Sequence, residues 1–261
     1  MHPNIDVHSF WEASADTWNE LNDLGLNIYR DLVNDPQFFE VLPNLKGKKC
    51  LDIGCGEGSG SRKLGDLGAS VVGIDISKKM VEFARSKELN SSRNIEYLCC
   101  DASDIDFNEG EFDGAISICS MMDMRDWRKI LIKIRDAIKK DGFFLFSITH
   151  PCFWEHTCKW KLNEKTGDPE AIIISNYFDR EGVHVGEWTF DNAPEDFPKL
   201  RTPLFHRTLS EWINGLSEAG FFIEKSFEPK PSPEDVARLP SMKGSEIVPF
   251  FLILMCKKKK E

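Results

Sequence analysis

The stretch Leu51-Asp-Ile-Gly-Cys-Gly-Glu-Gly58 decides the reading of this chain. It has the form of a short buried strand running into a glycine-rich turn. Gly54 and Gly56 carry no Cβ, so the amides of Gly54, Cys55 and Gly56 can approach a ligand closely. The next apolar run, Ala69-Ser-Val-Val-Gly-Ile-Asp75, ends in an acid. A carboxylate at the tip of the following strand can accept hydrogen bonds from both hydroxyls of a ribose. Together they point to a nucleoside-bearing cofactor whose sugar is held by Asp75. The dinucleotide fingerprint Gly-x-Gly-x-x-Gly would need its third glycine at position 59, which is Ser59. The glycines instead run Gly54-x-Gly56-x-Gly58, with Asp52 just upstream. A pyrophosphate has no need of that acid, whereas the ammonium of an amino-acid tail could use it.

Strands and helices alternate outward from this turn. Strands are predicted at Lys49–Ile53, Ser70–Ile74, Ile95–Cys100, Phe112–Ile118 and Phe143–Ile148. Helices are predicted at Ser61–Gly68, after the capping residue Ser77, along Trp127, Leu131, Ile134 and Ile138, and at Leu209–Ala219. Lys140-Asp-Gly142 is expected to turn into the fifth strand. Phe221–Phe227 and Pro249–Cys256 are expected to close the sheet as an antiparallel pair. Alternating βα units predict an α/β fold with a doubly wound, mostly parallel sheet, whose ligands bind at the carboxyl ends of the strands. Gly54, Asp75, Asp101, Ile118 and His150 all fall at such ends.

At Asp52–Gly58 the chain resembles the class I S-adenosylmethionine-dependent methyltransferases, whose first motif reads Asp-x-Gly-x-Gly-x-Gly. The resemblance is closest to small-molecule enzymes of the type 11 kind. It is specific over residues 46–150 and extends by pattern to 206–256, through His206-Arg-Thr-Leu-Ser-Glu-Trp and Glu218-Ala-Gly-Phe221. It implies a seven-stranded Rossmann-like sheet, S-adenosylmethionine as cofactor and S-adenosylhomocysteine as product. It also implies that Asp101 binds the adenine amino group beside Ala102, that Ile76 and Met80 pack on the ring, and that Ile118 lines the methionine part. Arg30 would pair with the cofactor carboxylate.

Two segments flank the 46–150 core. Residues 1–45 read as a helical cap over the cofactor site, and 206–261 as the closing helix and strand pair. Residues 151–205 read as a lid inserted after the fifth strand and controlling acceptor choice. It holds apparent strands at Ala171–Tyr177 and His184–Phe190, expected to form a hairpin turning near Arg180-Glu-Gly182. Its Phe153, Trp154, Trp160, Tyr177, Phe178 and Trp188 suggest an acceptor with an apolar or planar body. A base is needed only where the acceptor must lose a proton. His150, in Thr149-His-Pro151, is the first candidate, then His206, then Asp123. His150, Cys152, His156 and Cys158 also form a dense set of possible zinc ligands, but the usual Cys-x₂-Cys pair is absent and no metal is expected.

Composition narrows the class. The 261 residues carry a net charge of −10, which gives no general pull toward nucleic acid. The eight cysteines, several inside apparent strands, read as reduced thiols and a cytoplasmic setting. No apolar run approaches the ~20 residues that span a bilayer, and Lys257–Lys260 reads as a solvated tail. The alternatives are a non-catalytic S-adenosylmethionine-binding regulatory domain, a nicotinamide oxidoreductase and a nucleic-acid methyltransferase. The last often carries Asn-Pro-Pro-Tyr or Asp-Pro-Pro-Tyr after the fourth strand, where this chain has Ser117-Ile-Cys-Ser120.

Overall fold

The computed structural model describes residues 5–153, 158–178 and 183–259. Strands β1 (Lys49–Ile53), β2 (Ser70–Asp75), β3 (Ile95–Cys99), β4 (Phe112–Ile118) and β5 (Ile138–Thr149) pair in parallel. Near the C-terminus, β10 (Phe221–Phe227) and β11 (Phe251–Lys258) join antiparallel. The described residues thus form a seven-stranded sheet in the order β10-β11-β5-β4-β1-β2-β3. This is the doubly wound, mostly parallel sheet that the alternation predicts.

Burial follows from the pleat. Successive side chains of a strand point to opposite faces, so Phe144, Phe146 and Ile148 enter one core and Phe143 and Leu145 the other. The first core is covered by α5 (Trp127–Ala137) and α6 (Leu209–Glu218), through Trp127, Leu131, Trp212 and Leu216. The second is covered by α2 (Asp35–Glu40) and α3 (Ser59–Asp66), through Phe38 and Leu64. Caps fix the helix starts. Ser77 Oγ accepts from the Met80 amide at the head of α4 (Lys78–Glu88), and Thr208 with Glu211 forms a reciprocal capping box on α6.

Three local expectations are corrected. The turn at Lys140–Gly142 is absorbed as an irregularity inside β5, where Ile138 faces Phe112 but Phe143 already faces Gly114. Lys257 and Lys258 pair within β11, opposite Phe222 and Phe221, instead of trailing as a tail; Lys260 lies outside the described residues. The hairpin between 171–177 and 184–190 does not form. β7 (Pro169–Ile174) pairs with β6 (Cys158–Leu162), and β8 (His184–Trp188) with β9 (Leu200–Leu204). Tyr177 leaves the sheet because its hydroxyl accepts from the Leu209 amide and its carbonyl bonds His206 Nε2. Trp188 is drawn to β9, where its indole N–H donates to Thr202 Oγ1 at 2.8 Å. The turn expected at Arg180–Gly182 lies outside the described residues.

Val7, His8, Trp11 and Trp18 of the N-terminal α1 (Val7–Asp23) share a cavity with the carboxyl ends of β1, β2 and β4. Glu12 ties this helix to α4 by accepting from Ser77 Oγ and the Lys79 amide. Ser14 ties it to β9, its hydroxyl donating to the Arg201 carbonyl and accepting from the Arg201 amide. α1 and the inserted hairpin β8–β9 therefore roof the same end of the sheet.

Candidate active site

β1 and β2 deliver the glycine turn and Asp75 to one place. The amides of Gly54 and Cys55 both donate to the Ile74 carbonyl at 2.9 Å, which locks the two strand ends together. Gly54 adopts φ +68°, and a Cβ there would stand 2.5 Å from Ser120 Oγ. Gly56, at φ +54°, turns its amide onto Asp75 Oδ2 at 2.9 Å. Asp75 Oδ1 accepts from the Ser77 amide at 2.9 Å. Each oxygen has a second lone pair, and Asp75 lines the cavity above. Burial pushes its carboxyl up to about 6, against the two amides and with the charges of Glu57 and Glu12 adding to the rise.

Asp52, 2% exposed, accepts from Ser61 Oγ at 2.6 Å. Burial, then the neighbouring charges of Asp75 and Glu57, lift it to about 7. Such a cluster of elevated carboxyls is stabilised by a ligand that brings positive charge. Asp101 caps the turn Ala102–Asp104 through the Ser103 amide at 2.7 Å. Asp101, Ala102, Ile76, Met80 and Ile118 all line the same cavity, of about 1350 Å³. Arg30 lines it too, lying 3.0 Å from Asp31 and 3.9 Å from Asp35. Drug-sized ligands occupy pockets of roughly 300–1,000 Å³, so this one has room for a cofactor and a second molecule.

The three base candidates separate. His150, 4% exposed, does not line the cavity. Its Nδ1 accepts from the Cys152 amide at 3.2 Å, and its Nε2 lies 3.1 Å from Glu228 Oε1. Both nitrogens are thus engaged, and burial lowers its pKa. The strand end that was expected to face the cleft is bonded to β11's lead-in, His150 N donating to the Phe250 carbonyl at 2.9 Å. His206 is also off the cavity, with Nε2 on the Tyr177 carbonyl at 2.9 Å.

Asp123 does line the cavity. It is 8% exposed, and its carboxyl has no hydrogen-bond partner among the described residues. Burial raises its pKa well above the usual carboxylate range, opposed by the charge of Arg207. The Arg207 guanidinium donates to the carbonyls of Met121, Met122, Met124 and Arg125. It packs over the rings of Trp127, Phe205 and Trp212, and burial lowers it to about 9. One side chain therefore shapes the whole 121–125 loop that presents Asp123.

The aromatic wall could not be assembled from the sequence. Trp18 on α1 lies 5.5 Å from Trp11, 6.1 Å from Trp188 and 5.7 Å from Phe190, centroid to centroid. All four line the cavity. A Cβ on Gly56 would come within 3.9 Å of Trp18 Nε1, so this ring also covers the glycine turn. About 170 residues separate the two halves of the wall, and no spacing rule joins them. Cys152 and Cys158 make hydrogen bonds to Tyr177 and Phe153, and His156 lies outside the described residues. Among the described residues, no three His, Cys, Asp or Glu side chains are grouped to hold a metal, and no helix is long and apolar enough to cross a membrane.

Known proteins agree with this geometry. A family model described as a methyltransferase domain matches residues 51–146. An uncharacterized protein of Haemophilus influenzae is 31% identical over 217 residues, covering 80% of this chain and 79% of its own length. A crystal structure of an S-adenosylmethionine-dependent methyltransferase from Mesorhizobium loti is 25% identical, with a TM-score of 0.69, covering 85% of this chain and 96% of that one. The chain belongs to the class I S-adenosylmethionine-dependent methyltransferases. Its cofactor is S-adenosylmethionine, and the acid-lined glycine turn suits that cation. The O-methyltransferase cnsE of Penicillium expansum is 34% identical over 173 residues, of which the matched part spans 58% of this chain and 62% of cnsE.

Proposed function

We propose that this methyltransferase acts on a small-molecule acceptor with an apolar or planar body. The observation that carries the reading is Asp123, a buried and unpartnered acid on the wall of a cavity that also holds Asp75 and the glycine turn. S-adenosylmethionine, when bound, supplies a methyl group already made electrophilic by its sulfonium. The protein's task is then alignment and exclusion of water, where proximity contributes most.

Each residue has a part in that task. Asp75 accepts the ribose hydroxyls on its free lone pairs, and Gly54, Cys55 and Gly56 let the backbone come close. Asp101 receives the adenine amino group, with Ala102, Ile76 and Met80 against the ring and Ile118 beside the methionine part. Asp52 faces the ammonium. Arg30 takes the carboxylate through Nη1, which has no partner among the described residues. The described part of residues 1–45 caps the cofactor, and the described part of 151–205 forms the lid over the acceptor. The four aromatic rings hold the acceptor's body. Asp123, as carboxylate, takes the proton from its hydroxyl or amine. The naming of cnsE as an O-methyltransferase favours a hydroxyl.

Calorimetry with S-adenosylhomocysteine and a radiolabelled methyl-transfer screen over phenols and amines test this. Asp123→Asn should keep product affinity and lower kcat by roughly 10²–10⁴-fold, the usual contribution of a positioned base. Full turnover in that variant would remove Asp123 from the mechanism. Absence of any transfer, with normal product binding, would favour the regulatory-domain reading.

A further inference from the structure

The wall of the cavity carries more acids than cations. The loop after β4 brings Asp123 and Asp126 to it, and the insertion brings Glu187 and Asp191. The guanidinium groups on the cavity belong to Arg30 and Arg125. Arg30 is already within 4 Å of Asp31 and Asp35, so its charge is balanced locally. Around this cavity the whole chain has a net charge of −10. A cleft lined by one sign of charge focuses the field and selects against ions of the same sign.

Two further features say what does fit. Asp123 is 8% exposed, and its carboxyl lacks any hydrogen-bond partner among the described residues. Its oxygens open onto the cavity and have lone pairs for a ligand that donates to them. The aromatic wall presents the rings of Trp11, Trp18, Trp188 and Phe190, with Trp188 fixed by its bond to Thr202. Ring faces attract cations and planar neutral molecules, and they offer an anion nothing.

We propose that the acceptor is a planar molecule, uncharged or cationic, that presents a hydroxyl or amine hydrogen to Asp123, and that carboxylated or phosphorylated acceptors are excluded by charge. This deepens the small-molecule reading and rests on it. At about 6 Å and an effective dielectric near 20, one ionised carboxylate on the wall disfavours a ligand anion by roughly 100-fold, and solvent screening reduces that to roughly tenfold.

The test uses the full chain saturated with S-adenosylhomocysteine and three planar probes of similar size, titrated by calorimetry. They are 2-naphthol, 2-naphthylmethylammonium and 2-naphthoate. The first two should bind at least tenfold more tightly than the third. Raising the salt should strengthen 2-naphthoate and leave 2-naphthol unchanged. Glu187→Gln combined with Asp191→Asn, checked by its product affinity, should narrow the gap between 2-naphthol and 2-naphthoate. The proposal is overturned if 2-naphthoate binds as tightly as 2-naphthol, or if none of the three binds. Loss of S-adenosylhomocysteine binding itself would instead strike the underlying methyltransferase site.

Discussion

Lowering the pH should weaken cofactor binding, and the onset should lie far above the usual carboxylate range. In the ligand-free protein burial places Asp75 at about 6 and Asp52 at about 7. Asp75 can receive two ribose hydroxyls only as a carboxylate, because its Gly56 and Ser77 bonds already use one lone pair on each oxygen. Hydroxyl donors favour the charged form, so the bound-state pKa falls below 6. The sign follows: between those two values binding releases a proton, and Kd rises as pH falls. For Asp75 alone the ionised fraction at pH 5 is about one in eleven, so Kd should rise about tenfold, or ~1.4 kcal/mol. If Asp52 must also be ionised to face the ammonium, its ionised fraction at pH 5 adds a factor of up to ~100. The ligand's own α-carboxyl and α-amino groups, near roughly 3.5 and 8, keep their charges between pH 5 and 7.

Calorimetry with S-adenosylhomocysteine at half-unit steps from pH 5 to 7.5 measures this directly. Repeating it in two buffers of different ionisation enthalpy counts the proton released. Asp75→Asn should bind weakly at every pH and lose its share of the slope. An asparagine amide would also place a donor against the Gly56 or Ser77 N–H, so part of its loss is structural. A flat Kd over this range, or tighter binding at pH 5, would refute the assignment of Asp75 to the ribose.

The same carboxyls should make the ligand-free protein less stable as pH rises from about 5 to 7.5. Their folded pKa values exceed the unfolded ones, so the contribution is complete at low pH and is lost through about 6 and 7, a few kcal/mol in all, readable as a falling Tm. Gly58→Ala should lower Tm as well, because Gly58 has φ +87° and a Cβ would stand 2.5 Å from the Tyr97 hydroxyl; the left-handed backbone alone costs roughly 1–2 kcal/mol. Arg207→Met should destabilise by roughly 3 kcal/mol or more, by stranding the carbonyls of Met121, Met122 and Met124. Any activity left in that variant should show its acidic limb at higher pH, since the cation opposing the rise of Asp123 is gone.

The parallel core was legible because its signals are local. An apolar run such as Phe143–Ile148 and a glycine turn after β1 each carry their meaning within a few residues. The structure brings Gly54, Asp75, Asp101 and Ile118, each read at a strand end, to the wall of one cavity. His150 shows where that logic stops. Its strand end was correct, but Glu228 holds the ring and the Phe250 carbonyl holds the backbone N–H, from chain some 80 to 100 residues away. An antiparallel strand laid beside β5 occupies the space that the β5 end alone leaves open. Asp123 had the opposite history. It ranked last as a base on sequence, and only folding reveals that it is buried without a partner. The hairpin of the insertion failed for a related reason. The apolar runs around 171–177 and 184–190 are adjacent in the chain, yet Tyr177 is held by α6 and Trp188 by β9.

The roof joins the two halves of the cavity through one ring. Trp18 stands over Gly56 on one side and against Trp188 and Phe190 on the other. Trp188 is pinned to β9, and β9 is bonded to α1 at Ser14. α1 is in turn bonded to the head of α4 by Glu12, at Ser77, whose own amide holds Asp75. On the proposed function, an acceptor packed on the aromatic wall would press on the helix that covers the glycine turn, and a cofactor at the turn would steady the ring facing that acceptor. Each ligand would then rigidify a surface that the other must use, and a surface already ordered costs less to bind. The cap and the insertion are distant in sequence but mechanically one cover. This geometry favours cooperative binding of cofactor and acceptor over independent occupation of two pockets.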